Sequence, residues 1–243
     1  DINEAGLKET ADLLGLGEDR LMTRKLDVAD RQAFYDFADD VVNHFGYANM
    51  IFNNAGVALG ATVEDMNYDD FEWLMNINFW GVVYGTKAFL PYLKQAGEGH
   101  IINISSIFGL VGIPTQSAYN AAKFAVRGFT ESLRIELEME NSPVSCTSVH
   151  PGGIKTNIAK AARMDKSVER ITGGDKEKAI QDFEKLFRTT PEEAASTILK
   201  GVRGNKRRVL IGSDAVAVDT MQRLLPTSYQ KLIAMGQKYM SKK

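Results

Sequence analysis

The sequence has 243 residues and a mass of 26.9 kDa, enough for one large domain or two small ones whose core needs no disulfide or metal staple. Hydrophobic residues make up 44% and charged residues 25%, which excludes a disordered, collagen-like or coiled-coil chain. Lys and Arg number 29 against 31 Asp and Glu, and the net charge of −2 gives no general attraction to nucleic acid or an anionic membrane.

In chain order, residues 5–14 carry apolar side chains at helical spacing, and 24–28 reads as a short strand and its exit. Residues 31–45 form an amphipathic helix with Phe34, Phe37, Ala38, Val41, Val42 and Phe45 on one stripe. An apolar strand at 48–53 ends in Asn-Asn-Ala-Gly. A long helical stretch covers 68–96 and is bent at Pro91. A buried strand at 100–104 precedes a second long helix at 116–140. A strand at 144–149 leads into Pro151-Gly152-Gly153. A helix at 191–204 has Thr190 as its N-cap and Pro191 in its first turn. A last strand is expected at 208–211, and the remainder reads as mostly helical. Strands alternating with helices of this length predict βαβ units, a doubly wound parallel sheet and a single α/β domain over 1–243. Residues 155–190 are rich in Lys, Asp and Glu and long for a connection, so they read as a lid or a locally helical insertion.

Cys146 is the single cysteine, which excludes an intrachain disulfide and a Cys-rich metal site and suits a reducing, cytoplasmic setting. No apolar run approaches the ~18 residues of a membrane span. Lys206-Arg207-Arg208 reads as a solvated strand entry.

Several side chains carry chemistry. Tyr119 and Lys123 stand four residues apart on a helix, so they share a face. An ammonium beside a phenol favours phenolate, and such a tyrosine exchanges protons with an alcohol or carbonyl oxygen. Ser105 and Ser106 close an apolar strand, where ligands of open α/β sheets bind. A Ser106 hydroxyl there either holds a substrate oxygen or merely terminates the strand. Asn54, Ala55 and Gly56 also follow a strand and either permit close approach of a ligand or form an ordinary Asx turn. Asn78 lies inside an apolar helix and needs partners, either as a proton relay or at a helix kink. His150 reads as a satisfied strand-end histidine, and it has no metal-ligand spacing around it. No metal is expected.

These residues together resemble the classical short-chain dehydrogenases/reductases. The matching motifs are Leu26-Asp27-Val28, Asn53-Asn54-Ala55-Gly56, Asn76-Ile77-Asn78, Ile102-Asn103-Ile104-Ser105-Ser106, Tyr119-x-x-x-Lys123 and Pro151-Gly152-x-x-x-Thr156. The resemblance implies a Rossmann-like fold and an NAD(P)-dependent alcohol/carbonyl oxidoreductase, with Tyr119 as general acid/base. It implies that Lys123 lowers the tyrosine pKa and binds the nicotinamide ribose, that Ser106 orients the substrate oxygen, and that Asn78 holds a water. It places Asp27 and Val28 at adenine, Asn54, Ala55 and Gly56 beside the adenosine ribose, and Pro151, Gly152, Ile154 and Thr156 around the nicotinamide. Asp1 sits at the acidic position that favours NAD over NADP, unless it is only an exposed terminal residue. The resemblance also implies a homodimer or homotetramer and a mobile substrate loop over 155–190.

One motif of that family is missing. The Gly-rich phosphate turn, and with it the first strand-helix unit, does not occur in these 243 residues. Either a longer polypeptide carries it, or the chain works without a nucleotide. Val111, Ile113, Ile158 and Met164 point to an apolar pocket wall for a lipophilic alcohol, ketone or aldehyde, or else to core packing. The rival readings are an epimerase or dehydratase sharing Tyr-x-x-x-Lys and a non-catalytic binding or regulatory subunit. The segment 224–240 reads as an amphipathic helix, packed on its own domain or at a subunit interface in preference to a membrane surface.

Overall fold

The computed structural model describes residues 1–173, 181 and 187–240. Helix α1 (Glu4–Leu14) starts at Asn3, whose side chain accepts from the Gly6 amide, and buries no residue. Helix α2 (Arg31–Phe45) is capped by Asp30, whose carboxylate accepts from the Ala33 amide. It ends at Gly46, which takes the left-handed conformation at φ 83°. Its apolar stripe turns inward, and Phe34 meets Phe89 edge-on with ring centroids 6.5 Å apart.

Strand β1 (Met50–Asn53) is followed by the two-residue β2 (Leu59–Gly60) and then by α3 (Tyr68–Met75). A π-helical turn at Asn76–Trp80 joins α3 to α4 (Gly81–Gln95), which contains Pro91. The expected helix at 68–96 is therefore one rod interrupted by a wider turn, and Asn78 sits in that turn. Next come β3 (Gly99–Ile104), a 3₁₀ turn at Ile107–Gly109, α5 (Ser117–Met139) and β4 (Val144–Pro151). The chain continues through β5 (Arg163–Met164), α6 (Ser167–Thr172), α7 (Pro191–Arg203), β6 (Arg208–Ile211), α8 (Ser213–Leu224) and α9 (Tyr229–Met240).

The main sheet has the order β1-β3-β4-β6, with every pair parallel. Its centre is covered by helices, and Ile101 and Ile102 of β3 and Val149 of β4 are fully buried. Each such side chain stabilises by about 1.5–3 kcal/mol relative to exposure. Helix α5 lays Ala118, Ala122, Val126, Leu133 and Leu137 inward, all at helical spacing.

Two expectations need correction. Residues 24–28 form no strand, because the one backbone bond tying them to the preceding chain runs from the Leu26 amide to the Asp1 carbonyl. One bond holds the segment extended without making a ladder. The segment 224–240 is not one helix, since α8 and α9 meet at a turn. Within it Tyr229 is buried and Ile233 and Gln237, at successive i+4 positions, are half-buried, so one stripe of α9 packs on its own domain while Leu224 and Met235 stay 75% and 68% exposed. No helix among the described residues is long and apolar enough to cross a membrane.

Candidate active site

The site forms where β1, β3 and β4 end. β3 hands over to Ser105, whose amide extends the pairing by donating to the Val149 carbonyl at 2.8 Å. The Ser105 hydroxyl donates to the Lys123 carbonyl at 2.8 Å, which ties the strand end to α5. This tie needs a glycine opposite. A Cβ on Gly109 would stand 2.3 Å from the Ser105 oxygen and 2.7 Å from the Lys123 carbonyl oxygen. Ser106 follows in extended backbone, and its Oγ accepts from the Phe108 amide at 3.1 Å. Its carbonyl accepts from the Gly109 amide and from His150 Nδ1, each at 3.0 Å.

Tyr119 stands in the first turn of α5 with Phe108 packed edge-on against its ring. The Ser106 hydroxyl is within hydrogen-bonding reach of its phenol. One turn on, Lys123 is buried, and its Nζ lies 5.5 Å from the Tyr119 ring centroid. That ammonium donates to the Ile104 carbonyl at 2.9 Å. Burial pushes the Tyr119 phenol up to about 12, and the Ser106 hydrogen bond opposes it. Burial likewise brings Lys123 down to about 8. Desolvation thus outweighs the downward pull expected on the phenol from its neighbouring ammonium.

Asn78 is fully buried and grips Val57 at two points. Its Oδ1 accepts from the Val57 amide at 2.8 Å, and its Nδ2 donates to the Val57 carbonyl at 2.9 Å. The grip fixes the exposed run Asn54-Ala55-Gly56. A Cβ on Gly56 would lie 3.4 Å from Asn78 Oδ1 and 3.7 Å from Lys123 Nζ. Asn78, Lys123 and the Asn-Asn-Ala-Gly turn therefore converge on one spot. A small cleft of about 50 Å³ beside β1 gathers Val28, Asn54 and Ala55 with Phe52, Ile77 and Gly81. The bond from Leu26 to Asp1 sets Asp1 alongside Asp27 and Val28. Asp1 is exposed and its carboxylate accepts from the Asn3 amide, while that of Asp27 accepts from the Ala29 amide.

At the end of β4, Pro151 pairs with Ile211, and Gly152 donates to the Ile211 carbonyl at 2.9 Å. Asp214 accepts from the Gly153 amide at 2.7 Å, and a Cβ on Gly152 would lie 2.1 Å from its carboxylate. Ile154 bridges to Thr189, and Lys155 donates to the Thr189 carbonyl, so both ends of the segment 155–190 are pinned together. Thr156 is exposed just beyond this clasp. The near arm of the segment returns to the site. β5 pairs with β2, Arg163 stacks on Trp73 at 3.6 Å and bonds Asp70, and Arg170 pairs with Asp65. Residues 174–180 and 182–186 of that expected loop lie outside the described residues. Of the expected apolar wall, Val111 is buried, and Met164 covers Gly60, where a Cβ would strike its sulfur.

Sequence reasoning missed two further supports. Asn120, next to the tyrosine, accepts from the Ile113 amide and donates to the Phe108 and Val111 carbonyls, which holds the loop 108–113. Tyr229 accepts at its hydroxyl from the Gly112 amide and anchors the same loop from α9. An asparagine beside a catalytic-type tyrosine is the one signal that points at the first. His150 is satisfied, as expected, between Ser106 and Ser148.

Residues 1–167 match the family described as short chain dehydrogenase. The chain belongs to the short-chain dehydrogenase family. It is an oxidoreductase of that family. SadH of Mycobacterium tuberculosis, an oxidoreductase by its name, is 45% identical over 238 residues, covering 97% of this chain and 84% of SadH. YxnA of Bacillus subtilis, also named an oxidoreductase, is 35% identical over 235 residues, covering 95% of this chain and 62% of YxnA. The fold matches a short chain dehydrogenase/reductase from Burkholderia phymatum solved in complex with NAD, with a TM-score of 0.81 at 24% identity. That match covers 92% of this chain and 82% of the other.

Proposed function

We propose that this short-chain dehydrogenase interconverts an alcohol and its carbonyl by hydride transfer with a nicotinamide cofactor, NAD in preference to NADP. One observation carries the reading: the Ser106 hydroxyl, the Tyr119 phenol and the Lys123 ammonium meet at one strand end, cross-tied by the Ser105–Lys123 and Lys123–Ile104 bonds. Tyr119 is the general acid/base and Ser106 orients the substrate oxygen. The phenol is protonated at neutral pH, which is the form that donates to a carbonyl oxygen.

The residues present fit such a cofactor. Lys123 has three N–H donors and one bond to a carbonyl, and it faces the Gly56 turn where a side chain would fill the space. Those donors suit ribose hydroxyls. Asn54, Ala55, Gly56, Asp27 and Val28 would line the adenosine half, Asp1 its ribose, and Pro151, Gly152, Ile154 and Thr156 the nicotinamide. Asn78 holds the turn and would hold a water next to Lys123. The bound nicotinamide supplies the hydride donor or acceptor, and the protein supplies position and the proton. Residues 1–243 then act as one NAD(P)-binding domain, with 155–190 as the substrate loop over an apolar alcohol, ketone or aldehyde.

The test is Tyr119→Phe. Turnover of a probe alcohol is expected to fall by about 10²-fold or more, the scale of general acid–base help, with cofactor binding retained. Unchanged turnover refutes the assignment.

A further inference from the structure

His150 is a buried polar side chain that the proposed chemistry does not use. It is 0% exposed at the end of β4. Its Nδ1 lies 3.0 Å from the Ser106 carbonyl oxygen, and its Nε2 lies 3.0 Å from the Ser148 hydroxyl. These distances fix the proton. A carbonyl oxygen only accepts, so Nδ1 carries the hydrogen, and the bare Nε2 accepts from Ser148. Burial brings the imidazole down to about 4, so the ring keeps this neutral form at ordinary pH. Ser148 is itself anchored, since its amide donates to the Arg207 carbonyl at 3.0 Å.

We infer that His150 is a positioning residue for Ser106, holding the serine's carbonyl through Nδ1–H and so aiming its hydroxyl at Tyr119. Ser106 is gripped on both sides. Upstream, Ser105 is fixed by its amide to Val149 and by its hydroxyl to Lys123. Downstream, the Ser106 carbonyl has two lone pairs, one filled by the Gly109 amide and the other by His150. Without the second donor the peptide plane after Ser106 is held by a single bond at the foot of a 3₁₀ turn. Relaxation of that plane lets φ of Ser106 readjust with it, and a change in φ swings the Cα–Cβ bond and carries Oγ off the phenol. The inference rests on the catalytic reading of Ser106 and adds to it a residue that acts only through the backbone.

Two substitutions separate the ring's two contacts. His150→Asn places an amide donor where Nδ1 stands, and His150→Gln reaches instead toward Ser148, where Nε2 stands. Hydrogen exchange on the full-length protein reads the Phe108 and Gly109 amides, which bond to Ser106 Oγ and O. His150→Gln is expected to speed exchange at these two amides about tenfold, the scale of one net hydrogen bond, with α5 staying protected. His150→Asn is expected to restore most of the protection. Oxidation of 1-phenylethanol with NAD⁺ is expected to show the same order, as a loss in kcat at constant KM for NAD⁺. A His150→Gln/Ser106→Ala double variant is expected to lose no more than Ser106→Ala alone. A further loss in the double variant, or equal exchange and turnover in Asn and Gln variants, overturns the inference. If Ser106→Ala leaves turnover unchanged, the catalytic reading fails instead, and the exchange data still decide whether His150 holds Ser106.

Discussion

Acid is expected to unfold this protein through two histidines before its carboxylates matter. His100 and His150 are 8% and 0% exposed, and burial lowers each from 6.5 to about 4. His100 donates from Nε2 to the Thr147 hydroxyl at 2.7 Å, and that hydroxyl passes its own proton to the Lys206 carbonyl at 2.6 Å. Both rings are therefore neutral in the fold and cationic in the unfolded chain between pH 4 and 6.5. The unfolded state binds the extra protons there, so stability rises with pH across that window and is complete above it. One pKa unit corresponds to about 1.4 kcal/mol, so each ring accounts for roughly 3 kcal/mol over the window. Near pH 5.5 the two together give a slope of about 2–3 kcal/mol per pH unit. The assay is urea unfolding at intervals from pH 7.5 to 4.5. His150→Asn is expected to lower stability at pH 7 but to halve the slope, because one titrating group has gone. The carboxylates whose pKa values are lowered, Asp65, Asp70, Asp165, Glu138 and Glu192, add their own loss at lower pH. A flat profile above pH 5, or the same slope in the variant, refutes the assignment.

Thermal-shift titration of the full-length protein with NAD(H) and NADP(H) is expected to favour NAD(H). Saturation at 100 times Kd adds about 2.7 kcal/mol, and a preference for NADP(H) refutes the role of Asp1. Gly109→Ala forces a methyl into the Ser105–Lys123 tie, 2.3 Å from one oxygen and 2.7 Å from the other. It is expected to cost about 1–3 kcal/mol in denaturant unfolding and to depress turnover as well, since both elements that carry the proposed site must shift. Thr190→Ala removes the capping box in which Thr190 and Glu193 satisfy each other's backbone amides. A loss of about 1 kcal/mol is expected, with turnover preserved.

Much of this fold is legible because it is local. The strand at 208–211 matches Arg208–Ile211, and the helix at 116–140 matches Ser117–Met139, since apolar runs and 3.6-residue periodicity are written along the chain. What escapes is set by partners far away. The segment 24–28 has strand composition, yet a strand needs a ladder, and one bond to Asp1 does not make one. The two-residue pair β2 and β5 joins positions about a hundred residues apart and has no periodicity to read. The π turn at Asn76–Trp80 is hinted at only by an asparagine in an apolar helix. At the site, the Tyr119–Lys123 spacing and the Ser105-Ser106 strand end are both legible. The supports are not, because Asn120, His150 and Asp214 earn their roles from bonds to backbone groups that sequence patterns do not encode.

The same burial that organises the site sets its energetic problem. Tyr119 at about 12 and Lys123 at about 8 leave a neutral phenol next to an ammonium at pH 7. Donating a proton to a carbonyl starts from that state directly. Taking a proton from an alcohol requires phenolate, and forming it at pH 7 from a group at about 12 costs about 7 kcal/mol. The Ser106 hydroxyl that donates to the phenol oxygen already lowers that value, and the Lys123 charge one helical turn away is the group in place to act against the remaining cost. Both depend on being held still, because the field of an ammonium and the strength of a hydrogen bond fall quickly with distance. This is why the backbone ties matter to the chemistry. The Ser105 bond to Lys123, the Lys123 bond to Ile104 and the His150 bond to Ser106 lock β3, α5 and β4 together at a place where a small shift changes the proton's free energy.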